Sequence, residues 1–396
     1  SMVSAAEFDA SRWIDGAVGQ VKRIIFAPAR DPAQTDLVKH CQASCLALTR
    51  ILQAMTTGGT AGRTELLVVT RGGQGAGRAV SQPAQAAHWA IVRTAIEELP
   101  DLHLRCLDLP EAADLSDLRR AWAAVSARPH DHLVAVTAGS VYRPRLTRLR
   151  PSSNAALLRV SGDAAYVITG GTGALGLATA TWLADRGAKH LLLISRHADA
   201  FAEDARVIQL RARGVEVVLN AVDAADRAAL QLACGSAQRP IRGIVHAAGV
   251  LADATIANAT VADWQAVMHP KVQALCNLHD ISAGWDLNFF IAYSSAASLL
   301  GSPGQVNYVA ANAVVDAFMA YRQGQGLPGL AINWGPWSGP GMTADQASGH
   351  EVRLAKQGVF LLQPTDALAQ LDAAFGHGLA QVAVLSMDWA RFVSAH

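Results

Sequence analysis

Thr169-Gly170-Gly171-Thr172-Gly173-Ala174-Leu175-Gly176 closes a short apolar run at residues 166–169 and leads directly into a helical pattern over residues 177–186. Gly171, Gly173 and Gly176 satisfy G-x-G-x-x-G in the strand-to-helix setting the motif needs. There the glycines let the main chain approach a pyrophosphate at the helix N-terminus, where free N–H groups and the helix dipole favour negative charge. The spacing predicts a dinucleotide turn at residues 171–176, with Thr172, Ala174 and Leu175 between the glycines.

Outward from this turn, strand-like runs recur at 190–195, 216–220, 243–247, 288–294, 330–334 and 382–386, with helix-length segments between most of them. Seven strands at this rhythm predict an α/β fold, a Rossmann-like doubly wound parallel sheet covered on both faces. Upstream, runs at 21–26, 65–70, 102–109 and 132–136 alternate with helical patterns at 37–55, 85–98 and 114–126, which predicts a second parallel sheet. Prolines and serines in residues 144–153 read as a crossing between domains, giving a division into 1–150 and 151–396. The upstream stretch has its own glycine run, Gly72-Gly73-Gln74-Gly75-Ala76-Gly77, but Arg78 stands where the third glycine should be. No helix pattern starts before Pro83, so the run is read as a mobile loop. The N-terminal stretch is then a truncated Rossmann-like structural subdomain without a cofactor site.

Of 396 residues, 51% are hydrophobic and 16% charged, against roughly 25% charged in an average soluble protein. Disorder driven by excess charge is excluded. Basic and acidic residues balance at 33 against 32, so the chain has no general attraction for phosphate backbones or anionic lipid, and nucleic acid is not an expected partner. No apolar run reaches the ~18 residues that span a bilayer and no signal segment opens the chain, so a cytoplasmic location without a membrane is expected. Cys41, Cys45, Cys106, Cys234 and Cys276 show no CxxC spacing and read as buried thiols. No metal is expected, and His246 and His269 read as loop or core histidines.

In dinucleotide folds the end of the second strand carries the side chain that reads the adenosine ribose. A carboxylate there would accept from the 2′-hydroxyl of NAD. Ser195-Arg196 instead offers a hydroxyl and a guanidinium suited to a 2′-phosphate, which favours NADPH. A solvated loop arginine is the plainer alternative for Arg196. Asp223, after the third strand, is either an acceptor for the adenine amine or a turn cap.

Further along, Ala292-Tyr293-Ser294-Ser295 closes a strand, and Asn307-Tyr308-Val309-Ala310-Ala311-Asn312 opens a helical pattern running to Arg322. Tyr308 and Asn312 are four apart and share a helix face. Singly, a tyrosine at a helix start is commonly a packing residue, a strand-end serine a cap and a lysine solvated. Taken with the glycine turn, Ser195-Arg196, His246-Ala247-Ala248-Gly249-Val250, Pro270-Lys271 and Asn333-Trp334-Gly335-Pro336-Trp337, however, the sequence resembles a short-chain dehydrogenase/reductase. It is more closely similar to the ketoreductase domain of modular polyketide synthases and multifunctional fatty acid synthases, over nearly the whole chain. A simple member of the wider family places lysine four residues after its tyrosine. Here Asn312 stands there and Lys271, one of five lysines, lies 37 positions before Tyr308, the exchange that marks complex ketoreductases.

The resemblance implies a catalytic set of Lys271, Ser295, Tyr308 and Asn312, with Ala247, Ser294, Lys271 and Tyr308 also touching the cofactor. Ketone reduction needs a hydride at the carbonyl carbon and a proton at its oxygen, where negative charge develops. Tyr308 would supply the proton. A phenol ordinarily titrates near pH ~10, and a nearby ammonium favours its ionised form. Lys271 would provide that charge and bond the nicotinamide ribose, Ser295 would hydrogen-bond the substrate oxygen, and Asn312 would hold water or the lysine in the proton path. Pro270, inside a helical pattern over 261–279, is expected to kink it just before Lys271.

The same resemblance implies a β-ketoacyl thioester on the phosphopantetheine arm of an acyl carrier protein, with other domains of a multifunctional synthase as partners. It implies that the chain is an excised piece, with Ser1-Met2 a remnant of the excision. Residues 338–350 suit a lid over the acyl chain or a disordered surface loop equally. Ketoreductases of one stereochemical class carry tryptophan eight residues before the tyrosine, where this chain has Leu300. The other, B type has Leu-Asp-Asp and a proline five before the tyrosine; Leu251-Ala252-Asp253 and Pro303 resemble it, implying the D (3R) alcohol. An inactive scaffolding module and an epimerase that recycles its cofactor are the competing readings.

Overall fold

The computed structural model describes residues 23–29, 36–57, 64–128, 130–150, 158–339 and 347–395. Ser1-Met2, the first two residues of the strand expected at 21–26, residues 151–153 of the expected crossing and residues 340–346 of the expected lid lie outside them.

In the N-terminal stretch β1 (Arg23–Phe26), α1 (Leu37–Thr57), β2 (Glu65–Arg71), α2 (Ala86–Glu98), β3 (His103–Leu109), α3 (Leu115–Ser126) and β4 (Leu133–Thr137) alternate as the periodicity predicts, and the four strands pair in parallel in chain order. The sheet departs from the prediction at its edge, where β5 (Ser140–Tyr142) returns antiparallel to β4. Ala138 and Gly139 make the reversal with φ of 49° and 78°, the two-residue turn whose twist matches that of the strands. Three residues are too short for an alternation to register.

The glycine run at 72–77 is anchored, not the mobile loop expected. Asp108, buried at the end of β3, accepts from the N–H groups of Gly73 and Gln74 at 3.1 Å each and from Thr70 Oγ1 at 2.7 Å, and it pairs with Arg78. An internal carboxylate thus satisfies main-chain amides that in a working nucleotide turn would face phosphate.

Downstream the chain runs through β6 (Ala165–Thr169), α4 (Ala174–Asp185), β7 (His190–Ser195), α5 (Ala205–Ala212), β8 (Glu216–Ala221), α6 (Arg227–Gly235), β9 (Ile241–His246), α7 (Val261–Met268), α8 (Ala274–Ile281), β10 (Phe289–Ser295), α9 (Ala296–Leu300), α10 (Val306–Gly324) and β11 (Leu330–Trp334). It ends with α11 (Ala347–Lys356), β12 (Val359–Phe360), α12 (Pro364–Phe375), β13 (Gln381–Val384), β14 (Ser386–Met387) and α13 (Trp389–Ala395). The strands predicted from the sequence form one parallel sheet in the order β13-β11-β10-β9-β6-β7-β8. The run expected at 382–386 stops at Val384 and resumes as β14, paired antiparallel with β12. Strand order reverses between β6 and β9, the place where open α/β sheets admit ligands. β6 is buried at all five positions, as strands covered on both faces must be. Tyr166, Ile168, Leu191, Leu193, Phe289 and Ile291 share one core with residues of α4, α5 and α12.

The chain groups into two compact units: Ser1–Arg148 with Ala252–Met268 and Ala297–Gln325, and Leu149–Leu251 with His269–Ala296 and Gly326–His396. In the first, α10 packs along α2, with Val309, Ala313 and Ala317 against Val80, Ala86 and Ala90. Small residues on both surfaces let the helices approach closely. In the second, the expected kink at Pro270 takes the form of a π turn, His269–Gln273, because proline supplies no N–H to the helical ladder. Among the described residues no helix is long and apolar enough to cross a membrane, and no group of three or more His, Cys, Asp or Glu could hold a metal ion.

Candidate active site

The glycine turn after β6 is built by close approaches. Gly170 has φ +67°, and a Cβ there would lie 2.8 Å from the Ala247 carbonyl. A Cβ on Gly176 would collide with the Gly170 oxygen, so the third glycine of the motif sets how tightly α4 docks on the turn. Gly173 differs: it is exposed, and a Cβ there would meet only the Gly170 oxygen, at 3.2 Å. It opens α4 with no side-chain cap, and the first intrahelical bond runs from Leu177 N–H to Gly173 O at 2.9 Å. The N–H groups of Ala174, Leu175 and Gly176 therefore precede the helical ladder. This open, uncapped helix start fits a diphosphate, and Thr172 is buried beside it.

At the end of β7, Ser195 is half-buried and Arg196 exposed. Among the described residues no hydrogen bond or ion pair engages the Arg196 guanidinium. Asp223 accepts from Ala225 N–H at 2.9 Å, and its second oxygen lies 3.5 Å from the exposed His269. Its main-chain partner is that of a turn cap.

Lys271 lies on the π turn and is only 4% exposed. Its Nζ donates to the Tyr293 carbonyl oxygen at 2.8 Å. A Cβ on Gly249 would stand 3.2 Å from Lys271 Cε and 3.4 Å from Nζ, so the glycine in His246-Ala247-Ala248-Gly249 leaves room for the amine. The Lys271 carbonyl accepts from His246 Nε2 at 2.8 Å, while Thr169 Oγ1 donates to His246 Nδ1 at 2.7 Å. A carbonyl partner at Nε2 assigns the proton to that nitrogen. Burial first, and then the Lys271 charge, depress the His246 pKa to about 3. His246 is thus a neutral core histidine that ties the ends of β6 and β9 to the turn bearing Lys271.

The end of β10 is held from β11: Asn333 Nδ2 donates to Ser294 Oγ and to the Ser295 carbonyl, both at 3.1 Å. Tyr293 points away from this end, with its phenol 2.6 Å from Thr179 Oγ1, and burial pushes its pKa up. The tyrosine nearest in sequence to Ser295 is therefore no proton donor.

Tyr308 occupies the first turn of α10 and is largely buried; Asn312 Nδ2 donates to its carbonyl at 2.8 Å. Asn307 was not singled out by sequence reasoning. It is fully buried, and its Nδ2 donates to the carbonyls of Ala252 at 2.7 Å and Asp263 at 2.9 Å, while its Oδ1 accepts from Tyr308 N–H. Only its place directly before Tyr308 hinted at a role. Asp253 accepts from Gln305 Nε2 at 2.9 Å, so the segments carrying Asp253 and Pro303 are joined. Lys271 and Ser295 belong to one compact unit, Tyr308 and Asn312 to the other.

Comparison with known proteins agrees along the chain. The family described as "KR domain" matches residues 164–339, and "Polyketide synthase extender module SpnB, Rossmann fold domain" matches residues 3–146. The chain is 37% identical over 337 residues to polyketide synthase GfsA of Streptomyces halstedii, covering 83% of this chain and 4% of that one. It is 33% identical over 331 residues to polyketide synthase GfsB of the same organism, covering 80% of this chain and 6% of that one. It thus spans a small part of these relatives. A solved A1-type ketoreductase superposes with a TM-score of 0.88 at 31% identity, covering 98% of this chain and 82% of that one. A second structure, of A-type ketoreductases from a modular polyketide synthase, gives 0.87 at 31% identity, with the same coverage of 98% and 82%. With two family matches that together take in most of its length and a ketoreductase structure matched over nearly all of it, the chain belongs to the ketoreductase domains of modular polyketide synthases.

Proposed function

We propose that this domain reduces a β-ketoacyl thioester, carried on the phosphopantetheine arm of an acyl carrier protein, to the β-hydroxyacyl thioester, using NADPH, with the other domains of a synthase as neighbours. The observation that carries the reading is Lys271, a buried amine at the family's position, held by the Tyr293 carbonyl on the strand that ends in Ser295. Bound NADPH supplies the hydride to the carbonyl carbon. Tyr308 gives its phenolic proton to the carbonyl oxygen, which Ser295 orients by hydrogen bonding, and Lys271 favours the phenolate left behind. Asn312 stands in the path that returns a proton to Tyr308. Residues 171–176 hold the diphosphate, and the exposed guanidinium of Arg196, with Ser195, supports a 2′-phosphate and hence NADPH over NADH. Ala247, Ser294 and Asp223 complete the cofactor contacts on this reading, and the first ~150 residues are its structural, cofactor-free subdomain, a size ordinary for one domain.

Asp253 and Pro303, with Leu300 in place of a tryptophan, support B-type reduction to the D (3R) alcohol. The A-type description of the two similar structures is of those proteins. Chiral analysis of the product tests this point, and mainly 3S alcohol overturns it.

The test of the activity is NADPH oxidation with trans-1-decalone and with a β-ketoacyl N-acetylcysteamine thioester. Stoichiometric NADPH loss, abolished in Tyr308→Phe, is the expected result. A wild-type chain without reduction, as for a scaffold, or turnover without net NADPH loss, as for an epimerase, overturns it.

A further inference from the structure

Glu98 is the last residue of α2, in the N-terminal stretch, and is half-buried. Its Oε2 accepts from Ile256 N–H and its Oε1 from Gly304 N–H, each at 2.7 Å. One carboxylate therefore grips two separate segments: the one following Asp253, and the Pro303-Gly304 turn that leads into Tyr308. Ile256 is held on both sides, since Gln53 Nε2 of α1 donates to its carbonyl at 2.8 Å. The two segments also meet each other, through Gln305 to Asp253 at 2.9 Å and Val306 N–H to Ala254 O at 3.3 Å. All of these residues lie within one compact unit.

The helix does not account for Glu98. A carboxylate at a helix C-terminus faces the negative end of the dipole. What it gains there is a pair of short, charge-assisted bonds from main-chain amides that no other side chain among the described residues satisfies. Pro303 has no N–H, so at this pair the Gly304 amide, on a residue with φ +83°, is the main-chain donor available to Glu98.

We propose that Glu98 is a positioning residue for stereocontrol: by fixing the Asp253 segment against the Pro303-Gly304 turn, it sets which face of the ketone is reduced. It acts through those segments and touches neither substrate nor cofactor. The proposal rests on the reductase reading above, but assigns part of the stereochemical outcome to the N-terminal stretch.

The test compares wild type, Glu98→Ala and Glu98→Gln in NADPH-dependent reduction of a β-ketoacyl N-acetylcysteamine thioester, reading the ratio of hydroxy enantiomers by chiral chromatography. Loss of folded enzyme lowers the rate and leaves that ratio alone. Glu98→Ala is expected to erode the ratio by roughly tenfold, as loss of charged hydrogen bonds from one of two competing geometries would. Glu98→Gln keeps one acceptor oxygen and is expected to fall between; it carries the test if the alanine variant does not fold. A wild-type ratio in the variants overturns the proposal while leaving the reductase reading intact. If wild type reduces nothing, the reductase reading fails, and amide hydrogen exchange decides the clamp. Faster exchange in residues 253–257 and 302–306 of the variant supports it, and unchanged exchange overturns it.

Discussion

Lys271 Nζ is bonded to the carbonyl oxygen of Tyr293 at 2.8 Å, which fixes a buried ammonium one residue before Ser294 and two before Ser295. A buried charge is retained only where partners hold it, and here one partner is main chain, which substitution of a side chain cannot remove. Lys271→Met keeps most of the volume and removes the charge. On the proposed reading, in which this ammonium favours the Tyr308 phenolate, kcat for NADPH oxidation is expected to fall by about 10²- to 10⁴-fold, the usual range for losing acid–base assistance. Steady-state assays on protein with wild-type circular dichroism measure this, and a variant within threefold of wild type contradicts the assigned role.

Arg196 is exposed at the end of β7 with no ion pair among the described residues. On the proposed reading it is kept free for a 2′-phosphate. Arg196→Ala is expected to raise KM for NADPH by roughly 10- to 100-fold, the worth of one charged hydrogen-bonding partner, and to leave KM for NADH nearly unchanged. An unchanged KM for both cofactors would mark Arg196 as a solvated loop residue.

The parts of this molecule legible in the sequence are those whose causes are local. The β6–turn–α4 junction shows in the spacing of Gly171, Gly173 and Gly176, because each glycine answers a contact within a few residues or with the next strand. Pro270 announced a break in its helix for the same reason. The grouping of α10 with the N-terminal helix α2 left no such trace, since Val309, Ala313 and Ala317 read as an ordinary apolar stripe whichever partner covers them. Nor did Glu98 or the Lys271–Tyr293 bond. In each of those, one partner is a main-chain group, which every residue possesses, so the side chain at that position carries no signal of the contact.

Asn307 sits in the same blind spot, and its removal has a calculable consequence. Asn307→Leu removes a fully buried amide, taking the donor from the partly buried carbonyls of Ala252 and Asp263 and the acceptor from the buried Tyr308 N–H. Leaving buried polar groups unsatisfied costs about 1–3 kcal/mol apiece, partly relieved by relaxation, so a loss of about 2–4 kcal/mol in unfolding free energy is expected. Urea denaturation measures it. Because the same bonds brace the first turn of α10, activity in the folded fraction is expected to fall as well.

Acid should destabilise the fold through two buried histidines, one in each compact unit. Burial lowers the pKa of His88 to about 4, and burial with the Lys271 charge lowers that of His246 to about 3, from an ordinary value of 6.5. Because the folded values are depressed, the unfolded chain takes up protons below pH 6.5 that the folded chain refuses. Stability is therefore full above that pH and is lost as pH falls, until the folded histidines themselves titrate. Between about pH 5.5 and 4.5 the difference is a little under two protons, a slope of roughly 2 to 3 kcal/mol per pH unit. His246→Gln, whose amide can still donate toward the Lys271 carbonyl, removes one of the two, so its slope is expected to be about half that of wild type. Urea midpoints measured in steps from about pH 7 to 4.5 check both statements. A midpoint independent of pH over that range would show that neither ring is held neutral by its surroundings.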